Sequence, residues 1–238
     1  MSLRFGYEVH LSELNLSVLA YRADHFHKTI SDRTRKVYDR VASVYPASTF
    51  FFHSKAHRLA LEMSQIENGE RVLEVATGSG EMFRRLLKRN PDGVNVGFDL
   101  SPNMAAFTER RVRREFPGAR MLLQAVDARH MPYRDASFDH VVSCYLYELL
   151  DHDDIHKTLR EIRRVLRPGG RLTAILIGQN DVMFNEGYKV CGKLVPAFWG
   201  RQVSNRMPAW VEQAGFRIEK DRSTRQGFYP SRVLVAQR

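Results

Sequence analysis

Three carboxylates stand at the ends of short apolar runs, and their spacing suggests one chemistry. Glu74 lies within Val72-Leu-Glu-Val-Ala76, which breaks at Thr77, Gly78, Ser79 and Gly80 into a helix-like run from Glu81 to Lys88. A strand feeding a glycine turn feeding a helix N-terminus lets backbone approach a ligand closely. Asp99 follows 19 residues after Gly80, the usual distance for an acid that accepts hydrogen bonds from ribose hydroxyls. Its charge disfavours a ribose phosphate. Asp127 ends the third apolar run, where its carboxylate could accept a hydrogen bond from an adenine amino group, and Met104 could pack on the adenine plane.

A dinucleotide would require a third glycine in the turn, but Phe83 occupies that position, and bulk there blocks close helix–strand packing of the dinucleotide type. Glu74 is also a poor neighbour for a diphosphate and a good one for an ammonium group. Free ribose, adenine and an ammonium-bearing tail together describe S-adenosylmethionine.

These residues must be positioned by alternating strands and helices. Strands are read at 71–76, 94–99, 121–126, 139–144 and 171–177, with helices near 80–89, 102–115 and 153–167. Ser101-Pro102 is a capping serine followed by proline at the first helical position, and Pro168-Gly169-Gly170 turns the chain into the next strand. Such alternation predicts an α/β fold: a mostly parallel sheet with right-handed crossovers and helices on both faces. Ligands then sit at the carboxyl ends of the strands, where strand order reverses. Two helices, 182–195 and 204–214, and an antiparallel strand pair, 216–222 and 231–237, complete the reading. Residues 1–66 are read as an N-terminal helical lid on the substrate side, and 67–238 as the ligand-binding domain. In the lid, a helix capped at Ser31 or Asp32 runs to Tyr45 and is stopped by Pro46, and a second covers 54–65.

The chain has 238 residues, 43% of them hydrophobic, enough for one large core. No apolar run reaches the length of a membrane span, and the first residues lack a signal-peptide core. Two cysteines, Cys144 and Cys191, exclude a disulfide framework, so a reducing cytoplasm is the expected compartment. The net charge of +10 is dispersed over runs such as Arg110, Arg111, Arg113 and Arg114, or Arg160, Arg163, Arg164 and Arg167. Solvated outer faces of helices are the expected explanation; the sharper reading is attraction to an anionic surface, either a peripheral contact with a lipid leaflet or nucleic acid. His53 with His57, and His152 with His156, have i,i+4 spacing, but no third ligand stands in register, so no metal is expected.

Four segments in order carry a resemblance: Val72–Gly80, Gly97–Met104, Asp127–Asp139, and Glu161-Ile-Arg-Arg-Val-Leu-Arg-Pro-Gly-Gly-Arg-Leu172. Over about residues 70 to 177 the chain resembles the class I S-adenosylmethionine-dependent methyltransferases. That resemblance implies a Rossmann-like seven-stranded sheet with an antiparallel last strand, and S-adenosyl-L-homocysteine as the cofactor product. It also implies a cofactor site at Glu74, Ala76, Thr77, Gly78, Gly80, Asp99, Leu100, Met104, Asp127, Ala128 and Cys144. Ala76 stands where many members have the first glycine of the turn.

The nearest flavour is similar to the ubiquinone and menaquinone C-methyltransferases, through Tyr38–Tyr45 and the Leu159–Gly170 helix end. The substrate side departs from it. Tyr145, Tyr147 and Glu148 replace a glycine, an arginine and an asparagine, and Leu176 replaces a glutamate. Methyl transfer demands alignment and exclusion of water, and needs a base only when the acceptor starts protonated. The candidates facing the methyl group are Tyr145, Glu148 and Tyr38, with Phe50-Phe51-Phe52 as a pocket wall.

The expected activity is methyl transfer to a small or lipid-like acceptor of quinone-precursor type. A phospholipid amine N-methyltransferase is the alternative, motivated by the charge, Phe50–Phe52 and Leu194–Trp199. A nucleic-acid enzyme is disfavoured, because no base-handling Asn-Pro-Pro-Tyr motif follows the fourth strand. A non-catalytic scaffold is the remaining class. The sequence leaves oligomeric state open.

Overall fold

In the computed structural model, residues 45–179, 188 and 201–238 are described. Helix α1 (Tyr45–Ser64) leads into β1 (Arg71–Val75), α2 (Glu81–Arg89), β2 (Val94–Asp99), α3 (Pro102–Glu115) and β3 (Met121–Ala125). Then come β4 (Phe138–Cys144), a 3₁₀ turn (Tyr147–Leu149), α4 (His152–Val165) and β5 (Leu166–Ile177), followed by α5 (Met207–Gln213), β6 (Arg217–Gln226) and β7 (Tyr229–Gln237).

The seven strands lie in the order β3-β2-β1-β4-β5-β7-β6. The first five pair in parallel, and β7 inserts antiparallel between β5 and β6. The order reverses between β1 and β4, so the crevice at their carboxyl ends is the expected ligand position. Because β7 runs backwards, its first residues reach that same end, with Ser231 opposite Ile177.

Both faces of the sheet are covered, which is why the central strands read as continuous apolar runs rather than alternating ones. On one face, α4 and α5 bury Ile155, Leu159, Ile162, Met207 and Val211 against Leu73, Val75, Val141, Leu172 and Leu234. On the other, α1 and α2 bury Ala56, Ala60, Met63, Met82 and Leu86 against Val72, Val142, Ile175, Val233 and Val235. Each large side chain so buried contributes ~1.5–3 kcal/mol.

The caps expected from sequence form: Ser101 Oγ accepts the Met104 N–H, and Asp151 Oδ1 accepts the Asp154 N–H. Several boundaries move. Pro46 does not stop a helix; it is the second residue of α1, which starts well before 54. Proline fits a first helical turn, where its missing N–H has no partner to lose. Helix α4 ends at Val165 rather than 167, because Leu166 already pairs with Phe138 and the residue before a proline disfavours helix. Helix α5 covers 207–213 of the expected 204–214, and β6 and β7 meet in a longer hairpin, Arg217–Gln226 and Tyr229–Gln237. The helix from Ser31 or Asp32, Tyr38 and the side chains of Phe50–Phe52 lie outside what is described. So does 182–195, apart from Tyr188, which is helical and buried.

Among the arginines noted for their charge, Arg111 pairs with Glu81, Arg113 with Glu109, Arg164 with Glu161 and Asp135, and Arg167 with Asp139. Part of the positive charge is therefore spent inside the fold. Among the described residues, no helix is long and apolar enough to cross a membrane.

Candidate active site

The turn after β1 is built from left-handed backbone. Ala76, Gly78 and Gly80 have φ of 62°, 50° and 75°. Ala76 therefore keeps the conformation of the glycine it replaces, at a cost of ~1–2 kcal/mol. The Thr77 N–H donates to the Phe98 carbonyl at 3.0 Å, lashing the turn to β2. The Thr108 hydroxyl donates to the Gly78 carbonyl at 3.0 Å, and the Arg111 guanidinium to the Ser79 carbonyl at 2.8 Å. Helix α3 thus braces the turn from outside.

Beneath the turn, Gly97 lies opposite Glu74 in register. A Cβ at Gly97 would sit 2.7 Å from Thr77 Cγ2 and 2.9 Å from Phe83 Cε2. Phe83 is fully buried there. The residue that fills the third-glycine position is thus a packing block between α2 and β2, consistent with the exclusion of a dinucleotide.

Glu74 is 1% exposed, and its Oε2 has no hydrogen-bond partner. Burial, then the charges of Asp99 and Glu81, push its carboxyl well above the usual range. A buried carboxylate without a partner is costly and implies a cationic ligand or a proton. Glu81 behaves oppositely. Burial opposes its ionisation, but the hydrogen bonds and charge of Arg84, with the charges of Arg85 and Arg111, outweigh it and hold the carboxyl below the usual range.

Asp99 ends β2 and accepts the Gly78 N–H and the Ser101 N–H, each at 2.9 Å. Those bonds fix the orientation of the carboxylate at the end of β2. Leu100 beside it is half-buried, and Met104 is fully buried. Asp127 is clamped by Arg129, whose Nη2 donates to Oδ2 at 2.6 Å and whose Nε donates to Oδ1 at 2.9 Å. Arg129 also reaches Asp154 at 2.8 Å, tying the loop after β3 to the first turn of α4. Burial opposes ionisation of Asp127, but Arg129 outweighs it and lowers its pKa. Ala128 is half-buried alongside. Arg129 went unnoticed in the sequence, although its Asp-x-Arg spacing was there to read.

Cys144 ends β4; burial and then the Glu74 charge push its thiol well up, so it is an uncharged wall. Tyr145 follows with φ of 54°, left-handed backbone at the position where the resembling quinone enzymes carry glycine. Its hydroxyl lies 2.8 Å from Ser231 Oγ, and its ring centroid is 4.2 Å from that of His53. His53 is 5.0 Å from Tyr229. Rings from α1, β4 and β7 thus form one cluster at the carboxyl end of the sheet. Burial lowers the pKa of His53 to about 4, so the cluster is neutral near pH 7.

Glu148 is 2% exposed; its Oε1 accepts the Ile177 N–H at 2.7 Å. Tyr147 is buried in the core under α4 and accepts a hydrogen bond from Ser143 at 3.3 Å, so it does not face the crevice. The i,i+4 histidines are ring neighbours: His53 and His57 lie tilted with centroids 6.2 Å apart, while His152 and His156 meet each other and Trp210 edge-on.

A parallel sheet in this order, with a glycine turn after β1 and carboxylates ending β2 and following β3, defines a nucleoside-binding fold suited to methyl transfer. A methyltransferase-domain model matches residues 72–170. The demethylmenaquinone methyltransferase of Thermus thermophilus is 33% identical over 154 residues, 64% of this chain and 68% of that protein. The demethylmenaquinone methyltransferase of Staphylococcus carnosus is 25% identical over 199 residues, 80% of each chain. Among solved structures, the [4+2]-cyclase SpnF superposes with a TM-score of 0.73 at 17% identity, over 87% of this chain and 96% of its own, a likeness of fold alone. The chain belongs to the class I S-adenosylmethionine-dependent methyltransferase family and is an S-adenosylmethionine-dependent methyltransferase.

The residues present fit that cofactor. The orphaned Glu74 oxygen suits an ammonium group, Asp99 suits a ribose diol, and Asp127 and Met104 suit an adenine edge and face.

Proposed function

We propose that this enzyme methylates an aromatic ring acceptor of the quinone-precursor type. The observation that carries the acceptor class is the neutral wall of His53, Tyr145 and Tyr229 at the carboxyl end of the sheet. Flat, uncharged rings favour offset or edge-on packing with another ring. The relatives named for demethylmenaquinone methylation support the same class.

In this reading Glu74 holds the cofactor's ammonium, Asp99 its ribose hydroxyls and Asp127 its adenine amino group, while the 76–80 turn supplies close backbone. Leu100, Met104, Ala128 and Cys144 complete an apolar, water-poor lining. When bound, S-adenosylmethionine supplies a methyl group on a sulfonium whose departure leaves a neutral thioether. The protein's task is then to align and to exclude water. Tyr145, held at Ser231, walls the acceptor position. In this reading the 1–66 extension, Tyr38 included, acts as the lid over that opening.

Turnover tests the acceptor. A reduced 1,4-naphthoquinone with one free ring carbon should yield a ring-methylated product by mass spectrometry. Phosphatidylethanolamine in anionic vesicles should yield none. Methylation of the phospholipid alone would overturn the ring reading and install the membrane N-methyltransferase in its place.

A further inference from the structure

The left-handed backbone of Tyr145 ends β4 abruptly and folds the chain back through a tight turn, with the Leu149 N–H donating to the Leu146 carbonyl at 3.0 Å. That turn carries Glu148 across to the end of β5. The Ile177 N–H fixes Oε1 at 2.7 Å, and the Glu148 carbonyl is itself held by the Arg201 N–H at 2.7 Å. Oε2 is buried and has no partner.

Among the buried side-chain polar atoms described in this turn, Glu148 Oε2 is the one without a hydrogen-bond partner. A side chain whose only task was to accept the Ile177 N–H could be neutral. A carboxylate without a cation beside it is a poor structural choice in a dry site. It sits where parallel strands end, on the segment that also carries Tyr145 and against the last residue of β5.

We infer that Glu148 is the proton acceptor of the reaction, taking through Oε2 the proton that the acceptor must lose. This rests on the ring-acceptor reading and deepens it: the acceptor starts protonated at the atom that is methylated. The new bond from the ring carbon to the methyl group forms as the bond from sulfur to that methyl breaks, and sulfur keeps the electron pair as a neutral thioether. The ring carbon then gives its proton to the Glu148 carboxylate, and the C–H electron pair restores the ring. Release of that proton to water resets the residue.

Burial, opposed by hydrogen bonds from the Ile177 amide and Glu148's own amide, sets its pKa at about 7. The neutral Tyr147 hydroxyl is on the same turn, and no charged side chain among the described residues adds to that balance. A base poised near the working pH is the efficient kind.

Glu148→Gln is the test, because glutamine keeps an oxygen for Ile177 and cannot take a proton. With a reduced naphthoquinone as acceptor, kcat should fall about 100-fold or more, with KM little changed. The acidic limb of the wild-type kcat–pH profile should vanish, and a ring-carbon deuterium label should give a larger isotope effect in the variant. The Kd for S-adenosylmethionine by calorimetry should stay within about twofold of wild type, the readout that separates proton transfer from a damaged site. An unchanged kcat and profile in a folded variant would overturn the role of Glu148 and leave the ring-acceptor reading standing. Wild-type enzyme that methylates no quinol would overturn both. A variant that loses the cofactor in step with kcat assigns Glu148 to structure and refutes the proposal.

Discussion

Replacing Glu148 by glutamine should change how stability depends on pH, independently of any acceptor. Burial lifts the Glu148 carboxyl from 4.5 to about 7. At about 1.4 kcal/mol per tenfold change in proton affinity, that corresponds to about 3 kcal/mol. The folded state binds the proton more tightly than the unfolded chain. The stabilisation is therefore fully present below pH 4.5 and is lost as pH rises through 7. Most of that loss falls between pH 5 and pH 8.5. Glutamine carries no such dependence, while every other titrating group is common to both proteins. The assay is urea unfolding of wild type and Glu148→Gln across that range. The difference curve should shift in favour of the variant by about 2–3 kcal/mol from acid to alkaline pH. For a chain of this size that is a relative gain of about 5–10 °C in midpoint. A difference that stays flat would mean that Glu148 titrates as an exposed carboxyl, and the argument from its buried, unpaired oxygen would fail.

Two further substitutions probe the cofactor side. Glu74→Gln removes the carboxylate proposed to meet the cofactor's ammonium and should raise the Kd for S-adenosylmethionine by about 10- to 150-fold, as expected for a charged hydrogen bond. Because the Glu74 carboxyl is held well above its usual range, wild-type affinity should also climb with pH and the variant's should not; calorimetry at several pH values reads both, and an unchanged Kd refutes the site. Gly97→Ala would push a methyl against Thr77 and Phe83 and should destabilise the protein by about 1–3 kcal/mol in chemical unfolding. Wild-type stability in that variant would contradict the close approach of β2 to the turn.

The cofactor half was legible because its signals are local. Each carboxylate sits at or just beyond the end of a short strand, and the turn, cap and helix that aim it follow within a few residues. Gly80 to Asp99 is a strand-to-strand spacing set by one helix and one crossover. The exclusion of a dinucleotide came from Glu74 and Phe83, and the packing of Phe83 against Gly97 is a neighbour relation within a single βαβ unit.

The acceptor half was not legible in the same way. Tyr145 was singled out from sequence, but Ser231 and Tyr229, 86 and 84 residues further on, reach it only because β7 threads backwards between β5 and β6. His53 showed in sequence only an i,i+4 spacing with His57, and it is α1 that lays it against Tyr145. Pro46 reads as a helix stop or a helix start with equal local logic, and packing of α1 on the sheet favours the start.

By itself, then, the sequence determined the family and the cofactor and pointed to candidate residues for holding it, since strand-end chemistry is written in short-range spacing. Tertiary structure alone decided which side chains share the opening beyond the cofactor. An antiparallel insertion and a left-handed turn bring together residues that no periodicity connects, and burial then leaves His53 neutral beside Tyr145 and gives Glu148 an unpaired oxygen and a raised pKa.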